Sequence, residues 1–209
     1  GRATSTVILL GDLVDRGPES AGVVSFARAW QQLRRVRILT GNHEEMFLRS
    51  FVSVDILRHF LRHGGRETLL SYGVSRKKYN IATIEEVQEL MREAVSDAER
   101  AFIAGFEDTI SIGDYLFVHA GVDPQVPLGQ QKPNDLRWIR EPFLSHPEPF
   151  EQVVVHGHTI SDDPVDNGVR IGIDTGAYIT NRLTALVLEG DERRYIAAWQ
   201  DEDGAIRTG

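Results

Sequence analysis

Four short pieces of this chain carry side chains able to do hydrolytic chemistry: Gly11-Asp12-Leu13-Val14-Asp15-Arg16-Gly17, Gly41-Asn42-His43-Glu44, His119-Ala120-Gly121 and His156-Gly157-His158-Thr159. Each follows an apolar run of the kind that forms a buried strand, so each presents oxygen or imidazole donors at a strand end. A carboxylate can bridge two divalent ions, an Asn carbonyl is a neutral hard oxygen ligand, and imidazole suits Mn, Fe or Zn. Two such ions about 3.5–4 Å apart activate a water and clamp phosphoryl oxygens. Any one piece alone is a weak signal, but four in order are a strong one. Cysteine is absent, which excludes disulfides and thiolate metal sites and fits a cytoplasmic, reducing compartment.

The elements that must position these residues follow from apolar spacing and punctuation. Val7 to Leu10 reads as a buried strand closing on Gly11-Asp12. Pro18 is suited to a first helical position and Glu19 to the positive helix start, so a helix is expected from Pro18 to about Leu33. Val36 to Leu39 forms the next strand. Strand, loop, helix, strand, loop is a parallel arrangement, and such sheets place ligands at the carboxyl ends of their strands. The stretch from Glu44 to Phe106 reads as mostly helical, with capping-box spacing at Thr83/Glu86 and Ser96/Glu99. Beyond it, Thr109 to Ile112 and Tyr115 to Val118 flank Gly113-Asp114 as a hairpin. Pro124 to Pro149 is mainly loop with a short helix around Asp135 to Ile139. Val153 to Val155, Val169 to Ile173, Leu183 to Leu188 and Tyr195 to Trp199 complete the strands. Trp30, Trp138 and Trp199 are read as core or packing residues.

Bulk composition narrows the class. At 209 residues with 41% apolar and 26% charged residues, the chain is long enough for one domain with a substantial core. No apolar run reaches the length of a membrane span, and Gly1 to Thr6 lack the regions of a secretory leader. The net charge of −8 argues against a nucleic-acid partner, since the phosphate backbone would be repelled. Phosphate must then be handled locally, by a few arginines or by metal ions.

The ordered set of pieces resembles the calcineurin-like metallophosphoesterase superfamily, and within it the phosphoprotein phosphatase family in its bacterial form. That family's pattern is GDxHG, GDxVDRG, GNHE, H(A/G)G and GH. The last four stand here as GDLVDRG, GNHEE, HAG and HGHT, from residue 11 to residue 159. The resemblance implies an α/β (α+β) fold, a four-layer αββα sandwich of two mixed sheets with helices outside, spanning 1–209 as one domain with a helical cap at 47–106. It implies two divalent metal ions, Mn or alternatively Fe or Zn. Asp12 would bridge both, and Asn42, His119 and His158 would complete the second metal site. His43 would be the general acid, oriented and kept charged by Asp15. Arg16 would hold phosphate oxygens, with Arg140 as the second arginine, Arg137 being its close neighbour. The implied reaction is attack of metal-bound hydroxide on phosphorus in a phosphomonoester, of the serine/threonine protein phosphatase type. Hydrolysis of a symmetrical dinucleoside tetraphosphate is the alternative within enzymes. A non-catalytic phosphate- or phosphoprotein-binding relative, or an inactive fragment, is the alternative outside them. The implied partner is a phosphorylated protein or small phosphoester; oligomeric state is not readable.

The pattern's opening GDxHG, which supplies the first metal's Asp and His, does not occur ahead of Gly11, and we expect it to lie outside these residues. Other residues keep two readings. His156 and His158 are two apart, and Gly157 permits a bend between them; His158 is the ligand the resemblance implies, and His156 reads as structural. His59 and His63, four apart on an expected helix, can bind metal or simply face solvent. Asp174 reads as a neighbour of the site or as a turn residue. Glu44 and Glu45 read as helix-start acids. The cap's run Leu61-Arg62-His63-Gly64-Gly65-Arg66 is expected to line the entrance and select substrate.

Overall fold

A computed structural model describes residues 5–201 and 203–209. Residues 1–4, part of the stretch read for a leader, lie outside the described residues. The chain divides into two compact units, Gly1–Glu107 and Asp108–Gly209, and the fold is mixed α/β, as the resemblance implies.

In the first unit, β1 (Val7–Leu9) and β2 (Val36–Ile38) pair in parallel, Val7 opposite Val36 and Leu9 opposite Ile38. Parallel partners need a crossover, here α1 (Ser20–Leu33). Val24 and Ala27 are its buried face, and Ala27 packs with Val36 and Ile38 under Val7, Leu9, Trp30, Phe102 and Phe106. The helix starts two residues later than Pro18. The cause is local: Gly17 N–H turns back to the Asp15 carbonyl at 2.6 Å, and Ser20 Oγ is drawn to the Asp15 N–H at 3.1 Å. The loop therefore keeps Pro18 and Glu19.

The helical segment runs α2 (Asn42–Ser50), α3 (Val54–Phe60), a π-type turn at Leu61–Gly65, α4 (Arg66–Ser71), α5 (Arg76–Ile81), α6 (Ile84–Ala94) and α7 (Asp97–Ala104). Thr83 and Glu86 close the full expected capping box, Thr83 N–H to Glu86 Oε2 at 2.7 Å and Glu86 N–H to Thr83 Oγ1 at 3.3 Å. Ser96 caps Glu99 N–H at 3.2 Å, but the Glu99 carboxylate takes the Ser96 hydroxyl instead of its backbone N–H. Phe47 is the hub beneath these helices, fully buried against Phe51, Phe60 and Tyr72 with ring centroids 5.4, 5.7 and 6.0 Å away.

The second unit holds a mixed five-stranded sheet in the order β3-β4-β5-β7-β6, from Thr109–Ile112, Tyr115–Val118, Val153–His156, Arg170–Gly172 and Val165–Asp166 respectively. β3 and β4 are the expected hairpin; β4, β5 and β7 run parallel. Leu116, Val118, Val122, Leu136, Phe143 and Val154 form its core, with Leu136 on α8 (Pro133–Trp138). After α9 (Ala177–Thr180), β8 (Arg182–Glu189), β9 (Glu192–Gln200) and β10 (Ile206–Thr208) make an antiparallel sheet. Trp199, read as a packing residue, is 39% exposed there, because β9 carries most of its side chains toward solvent. Among the described residues no helix is long and apolar enough to cross a membrane.

Truncating the hub should reveal its share of stability. Phe47→Ala is expected to lower the free energy of unfolding in urea by about 3–5 kcal/mol. Phe26→Ala, at a position 61% exposed, should stay within about 0.5 kcal/mol of the parent.

Candidate active site

In the first unit, the loops after β1 and β2 are brought together by one buried carboxylate. Glu44, fully buried at the third position of α2, accepts the backbone N–H of Gly41 at 2.8 Å and of Asp12 at 2.9 Å on Oε2, and that of Leu13 at 2.6 Å on Oε1. An anion at a helix start is favoured by the unpaired N–H groups and the dipole there. Gly41 is required by closeness: a Cβ on it would lie 2.2 Å from Asp12 Oδ1 and 2.7 Å from the Asp12 nitrogen. Asp12, Asn42 and His43 thereby converge, with the His43 N–H donating to Asp12 Oδ1 at 3.3 Å.

The loop itself is bent against ordinary backbone preference. Asp12, Asp15 and Arg16 have φ of 56°, 78° and 65°, and in the second unit His158 has 62°. Four expected site residues are thus held in the left-handed region, which non-glycine residues rarely occupy and which clusters at functional sites. Arg16 is braced from the cap: its N–H donates to the Gly64 carbonyl at 3.2 Å. Gly64, at φ 107°, lies so close that a Cβ would sit 2.6 Å from Arg16 Cγ.

Asp15 and His43 form a buried pair, Oδ2 to Nδ1 at 2.6 Å, with side chains 0% and 4% exposed. Around Asp15 every donor is assigned. Its N–H is accepted by Thr68 Oγ1 at 2.8 Å and Ser20 Oγ at 3.1 Å, while the Thr68 hydroxyl donates to Asp15 Oδ1 at 2.7 Å. With its own proton committed, Thr68 can only accept from the Ser20 hydroxyl, 3.2 Å away. Burial pushes the Asp15 carboxyl up to about 8, opposed by the Thr68 hydrogen bond and the Arg16 charge. Losing a proton from the pair would leave a net negative charge in a dry site, so the pair holds that proton through neutrality.

In the second unit, His119 follows β4 and His158 follows β5, 1% and 9% exposed. The Gly157 N–H donates to the His119 carbonyl at 2.8 Å and ties the two loops together. The rings cross at 66° with centroids 5.1 Å apart, and a ring nitrogen of each lies within 4.8 Å of one of the other. His156 is spent elsewhere. Arg170 Nη1 donates to its Nε2 at 3.2 Å, so Nδ1 carries the hydrogen given to the Gly157 carbonyl at 3.0 Å. Burial lowers its pKa to about 4, so it is neutral. Arg137 is engaged with Asp108 through Nε and Nη2 at 3.0 and 2.6 Å, whereas Arg140 is exposed. Asp174 Oδ1 accepts the Gly176 N–H at 2.9 Å, a turn role.

The structure thus gathers Asp12, Asp15, Arg16, Asn42 and His43 in one unit, and pairs His119 with His158 in the other, which also carries Arg140. Glu44, Thr68, Ser20 and Gly64 are positioning residues that the sequence reading did not assign. For Glu44 a signal existed, since it stands three residues after Gly41; Ser20 lies five residues from Asp15, and the partners of Thr68 and Gly64 are 48 to 53 residues away.

The first unit thus offers a strand-end carboxylate, an amide oxygen and a buried acid pair, and the second a pair of imidazoles, donor types suited to divalent metal and to phosphoryl oxygens. The chain belongs to the calcineurin-like phosphoesterase family, whose model matches residues 2–182. It is 27% identical over 203 residues to a bis(5'-nucleosyl)-tetraphosphatase PrpE, described as asymmetrical, from Bacillus velezensis, with 86% of this chain and 72% of the relative covered. The protein of the same name from Bacillus subtilis is 25% identical, covering 85% and 73%. Among solved structures, a cold-active protein-tyrosine phosphatase of a psychrophilic Shewanella species shares the fold, with a TM-score of 0.59 and 18% identity over all of this chain and 70% of that one.

Two outcomes check this geometry. Asp15 has a folded pKa of about 8, above its ordinary 3.8. The folded state therefore binds the proton more tightly, and the stabilisation present below about pH 4 is lost as pH rises through about 8. Urea titrations across this range should show that decline, and Asp15→Asn should flatten it. Glu44→Ala leaves three backbone N–H groups without their acceptor, so at about 1–3 kcal/mol for a buried unsatisfied group its urea midpoint should drop well below that of Glu45→Ala.

Proposed function

We propose that this chain hydrolyses the phosphoanhydride chain of a dinucleoside tetraphosphate, releasing a nucleoside monophosphate and a nucleoside triphosphate. The observation that carries this reading is the likeness to two tetraphosphatases over 85–86% of the chain. The sequence-level alternative named the symmetrical reaction, which would yield two nucleoside diphosphates. The asymmetrical reading replaces it because that is the word in both relatives' names.

Asp12, Asn42, His119 and His158 would hold metal, and their oxygen and imidazole donors fit Mn, Fe or Zn. Two divalent ions, when bound, supply Lewis acidity toward phosphoryl oxygens and an acidified water. The protein's own contributions are separable. Arg16 and Arg140 neutralise and orient phosphoryl oxygens through planar donor forks. His43 delivers the Nε2 proton to the departing oxygen and ends as a neutral imidazole that keeps its hydrogen on Nδ1, donated to the Asp15 carboxylate. Thr68 and Ser20 fix Asp15 while this happens. An intact proton donor of this kind has no use in a pure phosphate binder, which argues against the non-catalytic alternative.

A serine/threonine protein phosphatase is the second reading, favoured by the complete GDLVDRG and GNHE motifs. The substrates separate the two through their leaving groups: a serine alkoxide needs the His43 proton far more than a departing phosphate does.

The deciding assay is chromatography of products from a dinucleoside tetraphosphate with Mn²⁺, beside a phosphoserine peptide. A monophosphate and a triphosphate in equal amounts are expected, abolished by EDTA and restored by Mn²⁺. His43→Asn should cost about 100-fold, the low end for general acid catalysis. Turnover confined to the phosphoserine peptide would reverse the ranking, and two diphosphates would restore the symmetrical reaction.

A further inference from the structure

The π-type turn of the cap, Leu61–Gly65, carries basic side chains immediately beside the loop of Arg16. The chain kinks here between α3 and α4, and the kink leaves a backbone carbonyl outside the helical ladder. Here the freed group is the Gly64 carbonyl, which accepts the Arg16 N–H at 3.2 Å. His63 and Gly64 leave helical geometry at φ −104° and 107°. Arg62 and His63 are therefore fixed two and one residues from a backbone contact with Arg16, and both are exposed.

The side chains are ordered by their neighbours. His63 Nδ1 points at the His59 carbonyl at 2.8 Å, an oxygen that can only accept, so the hydrogen is on Nδ1 and Nε2 faces outward. The His59 and His63 rings lie 4.1 Å apart. Arg66 is turned away: it pairs with Glu67 at 3.2 Å and covers the Tyr79 ring at 5.6 Å. What stays exposed on the turn is the Arg62 guanidinium and, next in sequence, the outward Nε2 of His63, which donates when the ring is protonated, on a chain whose net charge is −8.

We propose that Arg62 and His63 form a subsite for the phosphates of a polyphosphate chain that lie beyond the one held by Arg16. A single orthophosphate is satisfied at Arg16; a linear triphosphate or longer reaches the turn and gains contacts there. The identity of the substrate as a dinucleotide rests on the tetraphosphatase reading, but the preference for a longer phosphate chain does not.

Inorganic tripolyphosphate, which carries no nucleoside, separates the two. Isothermal titration of the Mn²⁺-loaded protein should show tripolyphosphate bound at least tenfold more tightly than orthophosphate. In Arg62→Ala/His63→Ala that ratio should fall to about twofold or less, with thermal unfolding of the variant confirming that it is folded. Arg62→Lys should keep more than half of the preference, and Arg76→Ala on α5 should leave the ratio at its parental value. Equal affinity for the two anions in the parent, or an undiminished ratio in the double variant, overturns the subsite. If the ratio behaves as expected while no dinucleoside tetraphosphate is hydrolysed, the subsite stands and the substrate assignment falls.

Discussion

The carboxylate of Glu44 is the constraint on which the first unit's site depends. It accepts three N–H groups from two loops that follow different strands, and in doing so it sets the separation between Asp12 and the start of α2. A buried anion is costly unless its oxygens are occupied, and here they are occupied by loop N–H donors from Gly41, Asp12 and Leu13. Desolvation of the acid and satisfaction of the loops are thus one event. Asp12, Asn42 and His43 follow from it, because all three sit within two residues of an N–H that Glu44 holds.

A second layer builds on that one through Asp15. Its hydrogen bonds reach Ser20 on α1 and Thr68 on α4, so the acid pair is referenced to two helices as well as to its loop. The cap enters the same network at Thr68 and, a few residues earlier, at Gly64. A segment that sequence reading treats as a cover over the site is therefore bonded to the site's chemistry. The Asp15–His43 pair and the segment from Gly64 to Thr68 share one hydrogen-bonded framework in these contacts.

The sequence made the strand ends legible because apolar runs and the Gly-Asp and Gly-Asn junctions are local signals. The capping box at Thr83 was legible for the same reason. The edges of β8 and β9 extended beyond the expected apolar runs into Arg182, Glu192, Arg193 and Arg194, since antiparallel pairing continues through charged residues where one face meets solvent. The start of α1 was misplaced because the Gly17 turn and the Ser20 bond to the Asp15 N–H, though local, leave no mark in apolar spacing. Thr68 and Gly64 had no local signature at all: their partners lie about fifty residues away, and no periodicity reports a contact at that separation. The resemblance supplied the expected acid and ligands, while the residues bonded around them came only from the structure.

Four of the residues that would do the chemistry stand on backbone that few side chains tolerate, Asp12, Asp15, Arg16 and His158. This confounds the usual alanine scan. At such a position alanine removes the functional group and also alters the conformational cost of the loop, and a β-branched replacement would add strain that has nothing to do with charge. Asparagine and glycine are comfortable in the left-handed region, so they are the substitutions that separate lost chemistry from a shifted loop. A comparison of Asn and Ala at Asp12 or Asp15 therefore measures how much of an apparent catalytic defect belongs to the main chain.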